Sequence, residues 1–245
     1  MAARSAWGWP SRRRSLPAAP GVLVTGRSEG NIATASAELA PAAEVVRSDA
    51  TRLSEIAQLA DAVRARLGTV DAVFVNAGYA SLEPFADVSE QSFDRTFAVN
   101  AKGAFFTAQR LAPLVRDGGA FVFTTSVANT TGSPGMAAYS GAKAAVRSFA
   151  QVLAAELLPR GIRVNAVSPG FIKTPTMGIA GASPEELAAF EQEGSELTPL
   201  GRVGSPDEVA SAALFLAFEA TFTTGVELAV DGGIAQGIGA SSGID

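Results

Sequence analysis

From Gly21 onward, short and nearly continuous apolar runs alternate with longer stretches whose apolar residues recur every three or four positions. The runs predict strands at GVLVTG (21–26), AEVVRSD (43–49), DAVFV (71–75), GAFVFTTS (119–126), IRVNAV (162–167) and within VELAVDGG (226–233). The periodic stretches predict helices from a Ser28 cap to about Ala40 and from a Thr51 cap to about Leu67. In the second of these, Leu53, Ile56, Leu59, Ala60 and Val63 share one face. Further helices are expected over about 88–115, 136–159, 183–194 and 205–217. The last opens with a Ser205 cap, Pro206 in its first turn, then Asp207 and Glu208, a strong start signal. Strands apolar on both faces belong in a parallel sheet covered by helices on each side. Strand–helix alternation over this length predicts an α/β, Rossmann-type doubly wound parallel sheet with right-handed crossovers.

Composition narrows the chemistry. The 245 residues suit one domain that buries enough apolar surface to need no covalent staple. There is no Cys, which excludes a disulfide framework and thiolate metal sites. There is no His either, so Ser-His-Asp hydrolysis is excluded, no metal site is expected, and any acid or base must be Tyr, Lys, Asp or Glu. The net charge of −5 gives no nucleic-acid surface, and no apolar run reaches the roughly 18–20 residues of a membrane span. A cytoplasmic enzyme with a small-molecule carbonyl or alcohol substrate is expected, without nucleic-acid or membrane partners. Residues 1–20 stand apart: they hold a basic cluster, no acidic residue, and no period of either kind. They read as an irregular segment, with 21–245 forming the domain and about 175–200, rich in Glu, its substrate lid.

Four local patterns carry candidate chemistry. In YSGAK, Tyr139 and Lys143 are spaced to project from one helix face, where an ammonium can lower a phenol pKa of about 10. Ser126 ends a strand, and ligands of open α/β sheets bind beyond the strands' carboxyl ends. Asn76-Ala77-Gly78 follows one strand, and SPGFIKT (168–174) follows another, each with small or turn-forming residues that let backbone approach a ligand. Singly, each has a bland reading: a surface pair, a strand-ending serine, a punctuation turn.

Together with Asn100 in FAVNAKG and the VDGG at 230–233, these motifs stand in the order and spacing of the short-chain dehydrogenase/reductase family, which the chain resembles over about residues 21–238. The resemblance implies an NAD(P)-dependent oxidoreductase that interconverts carbonyls and alcohols, and a homo-oligomer, dimer or tetramer. It implies that Tyr139 is the general acid/base and that Lys143 lowers its pKa while holding the nicotinamide ribose. Ser126 would polarise the carbonyl, and Asn100 would order a water in the proton relay. Asp49 and Ala50 match adenine-contacting positions; Asn76, Ala77 and Gly78 match the cofactor turn. Pro169, Gly170, the Ile172 backbone and Thr174 match the nicotinamide carboxamide site. At the end of the 21–26 strand, an NAD user carries an acid, whereas this chain has Gly26, then Arg27 and Ser28. A guanidinium there can pair with a 2′-phosphate, so NADP is the expected cofactor and NAD the alternative.

The N-terminus departs from the family pattern. The family opens with a strand and a T-G-x-x-x-G-x-G loop that seats the pyrophosphate on a helix N-terminus. VTGRSEGNIA (24–33) imitates that loop, but counting strands back from Asn76 assigns it to the family's second strand. The first strand and its loop would then fall within residues 1–20, which contain neither. Reading one base earlier, Met1–Ala2 and Trp7–Gly8 both give Gly and Trp9–Pro10 gives Ala. With CGN arginines and TCN serines the shifted run can read G-G-T-I-G-M-G-L-A. A frameshift and an unrelated natural N-terminus both remain open. On either account the N-terminal strand/helix unit is expected to be incomplete, and activity to be in doubt. The alternative function is therefore a catalytically impaired remnant limited to homo-oligomer association.

Overall fold

A computed structural model describes residues 21–177 and 183–238. The expectation of an irregular segment at 1–20 lies outside the described residues. Six strands form in the order foreseen: β1 (Leu23–Gly26), β2 (Glu44–Arg47), β3 (Val70–Val75), β4 (Val115–Thr124), β5 (Arg163–Pro169) and β6 (Glu227–Val230). All their pairings are parallel. Between them lie α1 (Glu29–Leu39), α2 (Leu53–Leu67), α3 (Glu90–Phe97), α4 (Gly103–Leu111), α5 (Ala137–Glu156), α6 (Pro184–Leu197) and α7 (Pro206–Leu214).

The six strands make two sheets, β1–β2 and β3–β4–β5–β6. Among the described residues no strand pairs with β1 on its inner side or with β3 on the side facing it. The two sheets nonetheless share one core, because Leu23 and Val46 pack on the same cluster as Val70 and Val73.

The sheet's period of two sorts its side chains. Phe121 and Phe123 of β4 join Val164 and Ala166 of β5 against Leu59 and Val63 of α2, Ala104 and Ala108 of α4, and Val146 and Ala150 of α5. Val122 and Val167 point the other way, onto Ala213 of α7 and onto Leu216. Each buried Phe contributes about 1.5–3 kcal/mol relative to exposure. Gly119 is needed at the foot of β4, where a Cβ would lie 2.6 Å from Val115 Cγ1 and 2.8 Å from the Asp71 carbonyl oxygen.

Several boundaries differ from expectation. The helical stretch expected over 88–115 is shorter and divided: α3 runs into a π-helical turn at Ala98–Lys102, α4 follows, and β4 already begins at Val115. The 162–167 strand extends through Pro169, whose φ suits extended backbone. Thr51 does not cap α2. The helix has no side-chain cap; Asp49 instead closes a turn ahead of it, its Oδ1 accepting from the Thr51 amide at 2.9 Å and hydroxyl at 2.8 Å. Ser28 stands at the head of α1 but makes no side-chain cap bond. Ser205 does cap α7, in a reciprocal box with Glu208. Ser183 and Glu186 form the same box on α6, within the expected lid.

Candidate active site

The chemistry-bearing motifs meet at the carboxyl ends of β3, β4 and β5. Thr125 pins β4 to β5, its amide and hydroxyl both donating to the Val167 carbonyl at 2.9 Å. The preceding residue, Thr124, faces the site. Its hydroxyl donates to Asn76 Oδ1 at 2.8 Å, and its carbonyl oxygen accepts from the Lys143 ammonium at 2.8 Å. Ser126 follows in extended backbone and opens the 3₁₀ turn Val127–Asn129, its Oγ accepting from the Ala128 amide at 3.3 Å.

Tyr139 and Lys143 lie one turn apart on α5, as their spacing requires. Lys143 Nζ is 5.7 Å from the Tyr139 ring centroid, and the Ser126 side chain faces the Tyr139 hydroxyl and favours its ionised form. Asn100 sits in the π-helical turn, the kind of local widening that recurs at functional sites. Its Nδ2 donates to the carbonyls of Thr96 at 2.9 Å and Tyr79 at 2.7 Å, and its Oδ1 accepts from the Tyr79 amide at 3.1 Å. Asn100 thereby clamps the chain just past Asn76-Ala77-Gly78. A Cβ on Gly78 would lie 3.3 Å from Asn100 Oδ1 and 3.6 Å from Lys143 Nζ, so glycine keeps this space open.

Burial sets the charges. It pulls Lys143 down from 10.5 to about 8. It pushes Tyr139 above its ordinary 10.0, with the Ser126 hydrogen bond offsetting only part of the rise. Loss of water around the phenol dominates at Tyr139, while the Lys143 ammonium is bonded to the Thr124 carbonyl.

The loop after β5 lies beside this cluster. Gly170 passes so close to β6 that a Cβ would sit 2.9 Å from Asp231 Cα. Ile172 bridges to Gly204, and the Lys173 amide donates to the Gly204 carbonyl at 2.8 Å, fixing the backbone between Pro169 and Thr174. Thr174 and Ile172 are half-buried. Arg27, Ser28, Asp49 and Ala50 stand apart, at the carboxyl ends of β1 and β2. Burial alone would raise the Asp49 carboxyl; the Thr51 donors and the charges of Arg27 and Arg52 outweigh it and hold Asp49 below its usual value. Ala50 is locked under α4, where a Cβ on Gly103 would meet its carbonyl oxygen at 2.6 Å.

A nicotinamide dinucleotide finds fitting groups at both ends. Lys143 and Tyr139 offer donors for ribose hydroxyls beside the open space at Gly78, and Arg27 and Asp49 offer a cation and a carboxylate at the adenosine end. No described residue supplies the glycine-rich pyrophosphate turn between β1 and β3. Among the described residues no three His, Cys, Asp or Glu side chains group as metal ligands, and no helix is long and apolar enough to cross a membrane.

Thr124, Tyr79, Arg47 and Glu55 were not singled out from the sequence. Thr124 holds both Asn76 and Lys143, and its place two residues before Ser126, at the end of β4, was the available hint. Tyr79 takes part through its backbone, which leaves no signal in residue type.

Residues 21–235 match the family model described as Enoyl-(Acyl carrier protein) reductase. Oxidoreductase asL5 of Sarocladium schorii is 34% identical over 232 residues, covering 94% of this chain and 91% of the relative. The L-fucose dehydrogenase of Bos taurus is 36% identical over 197 residues, covering 80% of this chain and 73% of the relative. The cyclopentanol dehydrogenase of Comamonas testosteroni is 38% identical over 176 residues, covering 71% and 69%. The crystal structure of a short-chain dehydrogenase/reductase, glucose/ribitol dehydrogenase, from Brucella melitensis superposes with a TM-score of 0.77 at 28% identity, covering 88% of this chain and 86% of that one.

Proposed function

The chain belongs to the short-chain dehydrogenase/reductase family of oxidoreductases, and on that premise we propose that it reduces a small-molecule carbonyl, or oxidises the matching alcohol, with NADP(H) preferred. The observation that carries this reading is the joining of Ser126, Tyr139, Lys143 and Asn100 around one space at the ends of β3 and β4.

Reduced nicotinamide, when bound, supplies the hydride; the protein supplies position and a proton. Tyr139, held neutral by burial, is a ready donor. Its O–H bond breaks as the proton passes to the carbonyl oxygen, leaving a phenolate, while the Ser126 hydroxyl donates to the same oxygen. The Lys143 ammonium beside the ring stabilises that phenolate, and Asn100 Oδ1, bordering the space at Gly78, orders a water through which the proton is restored. Oxidation runs the same proton in reverse and needs the phenolate first. At the other end, Arg27 meets the 2′-phosphate, with Ser28 beside it at the head of α1, and Asp49 and Ala50 contact the adenine. Asn76, Ala77, Pro169, Gly170, Ile172 and Thr174 line the nicotinamide side. Catalysis in the cytoplasm by a homo-oligomer completes the reading.

A second reading is that of a catalytically impaired family member that only associates with copies of itself. Among the described residues no strand joins β1 to β3, where the family seats the pyrophosphate. Calorimetric or fluorescence titration of the purified chain with NADPH decides between them. Low-micromolar affinity, about −8 kcal/mol, supports the reductase and refutes the remnant. If binding is absent but appears once a strand and T-G-x-x-x-G-x-G loop are added before Gly21, the remnant reading holds. In the active form, Arg27→Ala should weaken NADPH more than NADH; equal losses would refute the assignment of Arg27.

A further inference from the structure

Past the end of β1, the Arg27 carbonyl oxygen accepts a hydrogen bond from Arg47 Nη1 at 2.8 Å. Arg47 is the last residue of β2 and registers with Gly26, the last residue of β1. Its guanidinium reaches back over the β1 turn and is steadied from the other side, where its Nε lies 3.5 Å from Glu55 Oε2. Glu55 comes from the first turn of α2 and is itself fixed. Its Oε2 accepts from the Asp49 amide at 2.8 Å, its Oε1 is 3.8 Å from Arg52 Nε, and its side chain is only 16% exposed. One carboxylate therefore sets both the Asp49 loop and the arginine that holds the Arg27 loop.

This tie matters because β1 lacks a strand on its inner side among the described residues. Beyond Gly26 the β1 turn is held by the Ser48 amide, which donates to the Gly26 carbonyl at 2.8 Å, and then by Arg47. Arg47 is half-exposed and its Nη2 has no partner among the described residues, so a fork of donors remains available beside Arg27. A guanidinium fork suits the oxygens of a phosphate monoester.

We infer that Arg47 is a specificity-determining residue for a 2′-phosphorylated nucleotide: it pins the Arg27 backbone and adds a second guanidinium at the β1 turn. The inference rests on the NADP(H) reading. A purely structural role, an ion pair at the start of α2, would alter stability and affect every nucleotide alike.

The test is calorimetric binding of 2′,5′-ADP and 5′-AMP to the full chain and to Arg47→Ala and Arg47→Gln, with thermal melts alongside. The parent should favour 2′,5′-ADP by at least about tenfold, and Arg47→Ala should cut that ratio about tenfold, the scale of one charge-assisted hydrogen bond. Arg47→Gln, which keeps a donor for the Arg27 carbonyl but no charge, should fall between. A ratio within twofold of the parent's in whichever variant folds overturns the role of Arg47 while leaving the NADP(H) reading intact. No binding of either probe, or no preference in the parent, overturns the NADP(H) reading itself and this inference with it.

Discussion

The Lys143 ammonium is hydrogen-bonded to the carbonyl oxygen of Thr124, the last residue of β4, at 2.8 Å. The same threonine's hydroxyl holds Asn76, so one residue ties the helix bearing Tyr139 and Lys143 to the turn after β3. Lys143 is 3% exposed and has no carboxylate partner among the described residues, so its charge is a burden on the folded state.

That burden predicts a pH dependence. The folded Lys143 titrates near 8, against 10.5 ordinarily. Between these values the unfolded chain binds more protons, so stability from this group rises with pH through that window and is lost as pH falls towards 8. The slope is at most about 1.4 kcal/mol per pH unit. Thermal melts from pH 7.5 to 9.5 should show the parent gaining stability relative to Lys143→Met. Parallel curves would mean that Lys143 is not desolvated in solution.

Tyr139→Phe removes the proton donor and little volume. In the parent chain, or in a form with a T-G-x-x-x-G-x-G loop added before Gly21, turnover should drop by about 10²–10⁴-fold with NADPH affinity nearly unchanged. Because burial raises the Tyr139 pKa, carbonyl reduction should proceed at neutral pH and alcohol oxidation should climb into the alkaline range. Turnover by Tyr139→Phe within tenfold of the parent would remove it from the acid/base role.

Two glycines should respond oppositely to alanine. Gly30, on α1, has no described residue near its Cβ position, so Gly30→Ala should stabilise by about 0.5–1 kcal/mol. At Gly103 the new Cβ meets the Ala50 carbonyl oxygen at 2.6 Å, so Gly103→Ala should destabilise by about 1–3 kcal/mol and displace the loop beside Asp49. Denaturant melts measure both; a neutral Gly103→Ala would show that α4 does not press on this loop.

Beneath Ser126, Asn129 Nδ2 donates to Glu227 Oε1 at 2.7 Å, and Arg147 Nε lies 3.2 Å from Glu227 Oε2. Asn129 Oδ1 is already buried without a partner among the described residues. Glu227→Ala would strand the amide donor as well, and should cost about 1–3 kcal/mol in chemical denaturation. A cost below about 0.5 kcal/mol would mean that water or a local shift satisfies Asn129.

The sequence alone determined the order of strands and helices, because apolar runs and helical periods are local properties that neighbouring residues impose on one another. It also determined the site's membership: Tyr139 and Lys143 share a face by helical arithmetic, and Ser126 and Asn76-Ala77-Gly78 are marked by strand ends and small residues. Tertiary structure decided what depends on distant partners. The π-helical turn at Asn100, the hold of Glu55 on Arg47, and the hold of Thr124 on Lys143 depend on residues that the packed sheet and helices bring together. Charge was decided there too, since the Tyr139 and Lys143 pKa values follow from how much water the packed helices and strands exclude, and no pattern along the chain encodes that exclusion.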